Sequence, residues 1–329
     1  MKPTTSFVFR FSIFVLASSL SASSTLTGRI TEYVVPTAES LPHDPAVDPQ
    51  DRVWYTGQRA NIVGMFDPTT EKFTEYAVPT PNSGPHGLVS DPDGNIWFTE
   101  NYTGKIGRLD PRTGKFREFV APTAKDPHTP VFGPDGRLWF TAQRSNLVVR
   151  FNVRNYGMKE YTVPTPEARP YGIVPAADGK LWFCELAAGK IASIEPETGV
   201  IAEYPLPTPG AGPRRLAADE TFIWVTAFRA GKLARFNYRT QEWKEYDSPS
   251  GAESRPYGIE VARDGAVWYN EAGADKMVRF DPKTESFQTF PMPSPRSVVR
   301  HMARDSRGTL WLAVSGPRGT DNNQIARID

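Results

Sequence analysis

The chain has little of what many function classes need. It carries one cysteine in 329 residues, so no intrachain disulfide framework and no cysteine-based zinc ribbon can form. It has no charge of one sign in excess: 38 Lys+Arg stand against 37 Asp+Glu, a formal net charge of +1. A nucleic acid partner is not expected, since nothing basic is held in reserve for phosphates. Gly-x-Ser-x-Gly, a phosphate loop and a dinucleotide fingerprint are all absent. Its only sustained apolar run, about Phe11 to Leu20, is too short for a comfortable membrane span. With Lys2 and Arg10 before and within it, and Ser21, Ala22, Ser23 and Ser24 after it, residues 1–24 read as a secretory signal peptide. That places the mature chain in the periplasm or outside the cell, with Cys184 as a buried, inert thiol.

What is abundant is turn chemistry and aromatic surface. There are 31 prolines and 26 glycines, too many for a helical bundle, and 12% aromatic residues, too many for a disordered chain. Self-comparison explains both. A unit running Pro85-His86-Gly87-Leu88, Asp91-Pro92-Asp93-Gly94, Trp97-Phe98-Thr99-Glu100, Lys105-Ile106-Gly107-Arg108 and Glu118-Phe119 recurs seven times. Its reference position, the residue after the first proline in the first six units, falls at His43, His86, His128, Tyr171, Arg214 and Tyr257, and in the seventh at His301. The spacings are 42 to 44 residues, and seven of the eight tryptophans keep step. Each unit holds four short β-like runs, and four strands in 40–45 residues is a propeller blade. The last unit stops after a third strand, Gln324 to Ile328. The missing fourth matches the other terminus, Gly28-Arg29-Ile30-Thr31-Glu32-Tyr33. The expected fold is therefore all-β: a seven-bladed β-propeller with four-stranded blades, one domain over residues 25–329. Its last blade is closed by the N-terminal strand, and the molecule is expected to be a monomer.

The recurring Pro-His/Tyr-Gly-Ile/Leu, Asp-Gly-X-Leu/Ile-Trp-Phe-Thr-Glu, Lys-Ile-Gly-Arg and Glu-Tyr-X-X-Pro-Thr-Pro segments resemble the virginiamycin B lyase (streptogramin lyase) family. The likeness covers essentially all of residues 28–329. It implies magnesium-assisted elimination that opens a cyclic depsipeptide at an ester linkage. The implied site lies in the central funnel, with two histidines from the last two blades and nearby glutamates. His301 keeps one of those positions. Tyr257 stands for the other histidine, and Val299 and Ser315 stand for two glutamates.

All four histidines, His43, His86, His128 and His301, occupy one repeat position on consecutive blades seven, one, two and three. The remaining arc holds Tyr171, Arg214 and Tyr257, with Arg169, Arg215 and Arg255 alongside, an arrangement suited to an anion. Taking Asp93-Gly94 as a two-residue turn puts Glu100 opposite Gly87 and beside His86. The same count puts Glu185 beside Tyr171 and Glu271 beside Tyr257, while Asp126 precedes His128 by two residues. Candidate catalytic residues are thus His301, His86 and Glu100, and a divalent ion is expected among His86, Glu100, Asp126 and His128. Ligand contacts are expected from His43, His128, Tyr171, Arg214, Tyr257, Glu185 and Glu271. A small molecule in the funnel is the expected partner, either ring-opened at an ester or merely bound by a non-catalytic propeller. The imidazoles could equally be structural, each hydrogen-bonded in the channel. Asn101-Tyr102-Thr103 fits a glycosylation acceptor, a common triplet.

Overall fold

Each repeat folds as an antiparallel meander because its polar and small residues break an otherwise apolar chain at fixed intervals. The computed structural model describes residues 26–317 and 322–329. The expected signal peptide, residues 1–24, lies outside them. Among the described residues there are seven four-stranded sheets. Blade one comprises Pro42–Val47, Val53–Gly57, Ile62–Asp67 and Lys72–Ala77. Blades two to six repeat that order, their innermost strands being Pro85–Ser90, Pro127–Phe132, Pro170–Pro175, Pro213–Ala218 and Pro256–Val261. Blade seven takes three strands from the C-terminal end, Val298–Arg304, Leu310–Ser315 and Asn323–Ile328, and its outermost strand from Ile30–Val34. Ile30 pairs with Ile328 and Val34 with Gln324, so the ring closes as the repeat count requires. Thr27 N and Gly28 N both donate to Asp329 O, at 2.6 and 3.0 Å.

The core lies between blades. The seven in-step tryptophans are at most 2% exposed. Each removes roughly 200 Å² from water, worth up to about 5 kcal/mol before ordering costs. Trp54 stacks on Tyr76, Trp97 on Phe119 and Trp139 on Tyr161, which explains the aromatic after the repeated glutamate. A buried indole N–H usually finds a partner, and in six blades an aspartate of the inner turn supplies it, while Trp268 Nε1 in blade six has none. Trp54, Trp97, Trp139, Trp182, Trp224 and Trp311 donate to Asp48, Asp91, Asp135, Asp178, Asp219 and Asp305.

The repeated threonine and glutamate clamp blade to blade. Thr37, Thr80, Thr123, Thr165 and Thr208 in the linkers donate to Glu75, Glu118, Glu160, Glu203 and Glu245 on the next blade's outer strand. Ser294 does the same with Glu32 of the closing strand. Blade six has Thr289 on its outer strand, and there Ser250 turns to Glu271 instead.

Candidate functional site in the axial channel

The inner hairpin does not turn on two residues. In blade two the last pair is Ser90 with Ile96. Asp91-Pro92-Asp93-Gly94 forms a four-residue turn, Gly94 N donating to Asp91 O at 2.9 Å with Gly94 at φ 80°. Every inner strand then carries a β-bulge at the reference position, between Pro85 and Leu88 in blade two and at the equivalent place in the other six. A bulge re-aims side chains, and two consecutive residues of each inner strand supply the axial channel. Threonines of the second strand hold it in place. Thr56, Thr99, Thr141 and Thr226 donate to the carbonyls of His86, His128, Tyr171 and Tyr257 on the following blade.

The turn and the bulge together displace the glutamates. Glu100 faces Pro85 rather than Gly87. Its carboxylate reaches Thr103, at 3.3 Å, and feels Glu118 and Lys105 rather than any histidine. Burial pushes its pKa up to about 7, with Glu118 adding to the effect. Glu185 faces Pro170 and sits near Glu203 and Lys190; burial, then Glu203, raises it to about 8. Glu271 faces Pro256 and accepts from Ser250. Asp126 holds the turn of its own blade, accepting from Ser145 N at 3.2 Å and Ser145 Oγ at 2.8 Å. None of the four thus shows a hydrogen bond to His86 or His128. The Asn101 amide is likewise engaged, donating to Pro127 O at 3.0 Å.

The aromatic and imidazole rings do converge, more tightly than strands spread around a channel would suggest. Ring centroids are 3.7 Å apart for His43 and His86, 3.9 Å for His86 and His128, and 4.0 Å for His128 and Tyr171. The hydroxyls of Tyr171 and Tyr257 are hydrogen-bonded across blade five. All five are buried, whereas Arg214, Arg300 and His301 stay partly exposed. Arg214 lies over Phe228 at 3.8 Å and Tyr257 at 4.7 Å. Arg300 bonds to the hydroxyl of Ser315.

Sequence reasoning missed the residue after the reference position. Blades two, four and six have glycine there, Gly87, Gly172 and Gly258. A Cβ on Gly87 would lie 2.6 Å from His128 O, and on Gly172 2.7 Å from Arg214 O. Blades one, three and five have Asp44, Thr129 and Arg215, and these three meet on the axis. Arg215 donates to Asp44 Oδ1 at 2.9 Å and Oδ2 at 3.0 Å, and to Thr129 Oγ1 at 3.1 Å. Asp44 and Arg215 are each 1% exposed. Arg215 is therefore committed to Asp44 and Thr129 rather than free for an anion. The alternation of glycine with Asp, Thr and Arg down that column was the available signal. Arg255 pairs at the surface with Glu253, at 3.6 Å.

Electrostatics follow from burial. Burial opposes charge on Asp44, but Arg215 and the His43 hydrogen bond outweigh it and hold the carboxyl well below its usual range. Burial lowers His43 to about 4 despite Asp44, and lowers His301 to about 4 with help from Arg215. It also depresses His86 and His128, aided by His128 and Arg215 respectively. The imidazoles are thus neutral at pH 7.

The magnesium implied by the family resemblance does not fit these residues. Magnesium wants oxygen ligands in near-octahedral array. Among the described residues the one group of three or more convergent His, Cys, Asp or Glu donors is His43, Asp44 and His86. Its single carboxylate is held by Arg215, and Val299 and Ser315 bring no acid from blade seven.

A solved streptogramin B lyase superposes with a TM-score of 0.84 at 26% identity, over 92% of this chain and 97% of that one. Virginiamycin B lyase from Staphylococcus aureus gives 0.83 at 26%, over 91% and 98%. A catalytically inactive variant of the Staphylococcus aureus lyase with quinupristin gives 0.82 at 25%, over 91% and 98%. No curated protein matches the chain. The family model described as the Virginiamycin B lyase family matches residues 16–250. With that match and seven blades closed by its own N-terminal strand, this chain belongs to the virginiamycin B lyase family.

Proposed function

We propose that this propeller is an exported, monomeric protein that binds a small molecule at the mouth of its axial channel. The observation that carries this reading is the division of the channel ring. Five of the seven reference side chains are buried against one another, leaving Arg214 and Arg300, with neighbouring His301, partly open to solvent. The Arg214 guanidinium against its aromatic wall suits a ligand with a carboxylate or ester oxygen next to an apolar group. Tyr171 and Tyr257 lie beside Arg214 and form part of that wall.

A second reading, favoured by His301, is that the bound molecule is a cyclic ester or depsipeptide opened by elimination. His301 Nδ1 has no hydrogen-bond partner, and its neutral imidazole can accept a proton. It would take the proton from the carbon adjacent to the C–O bond. An alkene forms as that bond breaks, and the carboxylate leaves towards an arginine. No step requires a metal, and Glu100 and His86 take no direct part.

Calorimetric titration with quinupristin and a lactone panel, followed by mass analysis, separates the readings. Saturable binding weakened in Arg214→Ala, with no new product, supports the binding propeller. A linear product lost in His301→Ala supports the lyase. Neither binding nor product across the panel sinks both.

A further inference from the structure

A buried imidazole nitrogen with nothing to bond is an unusual thing to keep. His86 is 4% exposed and its Nδ1 has no partner. It lies against His43, whose own Nδ1 is 2.8 Å from Asp44 Oδ1. A carboxylate can only accept, so His43 Nδ1 carries the proton and its Nε2 holds a free lone pair. A carboxylate that fixes one nitrogen so that the other can ligate is the supporting pattern found behind metal-bound histidines. One donor atom from each of His43, Asp44 and His86 lies within 4.8 Å of the other two.

We propose that His43, Asp44 and His86 form a site for one divalent transition-metal ion of the zinc class. Nitrogen-rich donors select zinc, cobalt, nickel or copper over magnesium. A tetrahedral ion with bonds of ~2.0–2.1 Å wants donors about 3.3 Å apart, so small side-chain rotations complete the site. Asp44 stays on His43 Nδ1 and Arg215 and supports the site from behind, so the ion is held by His43 Nε2 and His86. His43, His86 and Asp44 come from the first two blades, not from the last two that carry the lyase family's histidines. The ion's remaining positions are left to water or an anion, which the nearby arginines favour.

The test uses the full chain without an affinity tag, stripped of metal, and no small-molecule ligand. Titration with Co2+ should give visible d–d bands saturating at one equivalent, with no sulfur charge-transfer band, and Zn2+ should bleach them. His86→Ala and His43→Gln should each weaken binding by about 100-fold, as loss of a ligand does, while Cys184→Ala retains it. Where a variant loses its far-UV spectrum, Zn2+-induced shifts of the histidine Cε1–H resonances in the unaltered chain decide instead. Shifts largest at His43 and His86, with a smaller one at the adjacent His128 ring, support the site. No saturable cobalt binding, binding unchanged in both histidine variants, or shifts largest at another residue would overturn it. Because no ligand is present, failure here leaves the reading of the channel mouth intact.

Discussion

Arg215→Met isolates the ion pair on the propeller axis. The substitution keeps most of the side-chain volume but strands the Asp44 carboxylate, 1% exposed, with His43 as its remaining neighbour. Removing one partner of a buried pair costs about 3–5 kcal/mol, because the other charge is left uncompensated. At about 2 °C per kcal/mol for a chain of this size, the melting temperature should fall by roughly 6–10 °C. Adding Asp44→Asn removes the stranded charge and leaves an amide that can still bond to His43. The double variant should recover to within about 1 kcal/mol of the parent, so the coupling energy should be at least about 2 kcal/mol. The pH dependence has a definite sign. Asp44 is depressed in the folded state, so its contribution is fully present above the unfolded carboxyl pKa. It is lost only as pH falls through the lower folded value. The parent should therefore keep this term from pH 8 down to about pH 4. Urea unfolding of the four proteins of the cycle, at pH 7 and 5, measures it. A cost below about 1 kcal/mol for Arg215→Met, or a double variant as unstable as the sum of the singles, would refute the reasoning.

Acid should act through the histidines first. His43 is lowered from 6.5 to about 4, so its contribution, of order 3 kcal/mol, is complete above pH 6.5 and lost as pH falls towards 4. His301 titrates over the same window. A stability profile flat between pH 7 and 4, or unchanged in His43→Gln, contradicts this. Glu185 has the opposite sign: raised to about 8, it favours the fold at low pH and opposes it as pH rises. Glu185→Gln should therefore be near neutral at pH 5 and stabilise by about 2 kcal/mol at pH 8.5. Equal effects at both pH values, measured by urea unfolding, count against a buried neutral acid.

The fold was legible in the sequence because a propeller writes its geometry seven times. Trp97 and its six counterparts, the Asp-Gly turns and the orphan segment at Gly28–Tyr33 each gave an independent count. The ring position of His43, His86 and His128 was legible for the same reason, but in blade seven the ladder puts Arg300 there and His301 one residue on, in the column of Gly87 and Asp44. The glutamates were not. Asp93-Gly94 reads as a two-residue hairpin turn, whereas Asp91 opens a four-residue turn with Gly94 in the left-handed region. That alone shifts every pairing by one, and the bulge after Pro85 shifts it again. Because side chains alternate across a strand, a small error in register moves a carboxylate from the channel to the blade interface. Asp44 and Arg215 were hidden for another reason. They lie 171 residues apart, and only closure of the ring brings blades one and five face to face.

The strand Ile30–Val34 also decides when this molecule becomes whole. Its partner, Asn323–Ile328, is almost 300 residues away. Loop closure over that span costs about 2 kcal/mol more than over one blade, a modest thermodynamic charge. The kinetic consequence is larger. Until residue 329 exists, blade seven lacks its third strand and Ile30–Val34 has nothing to pair with. Every shorter chain is an open arc with two bare sheet edges and half-covered aromatics at each end. The fold is thus timed by the strand Asn323–Ile328: no prefix that lacks it is a smaller version of the protein. A chain stopped a few residues short should aggregate rather than merely melt earlier.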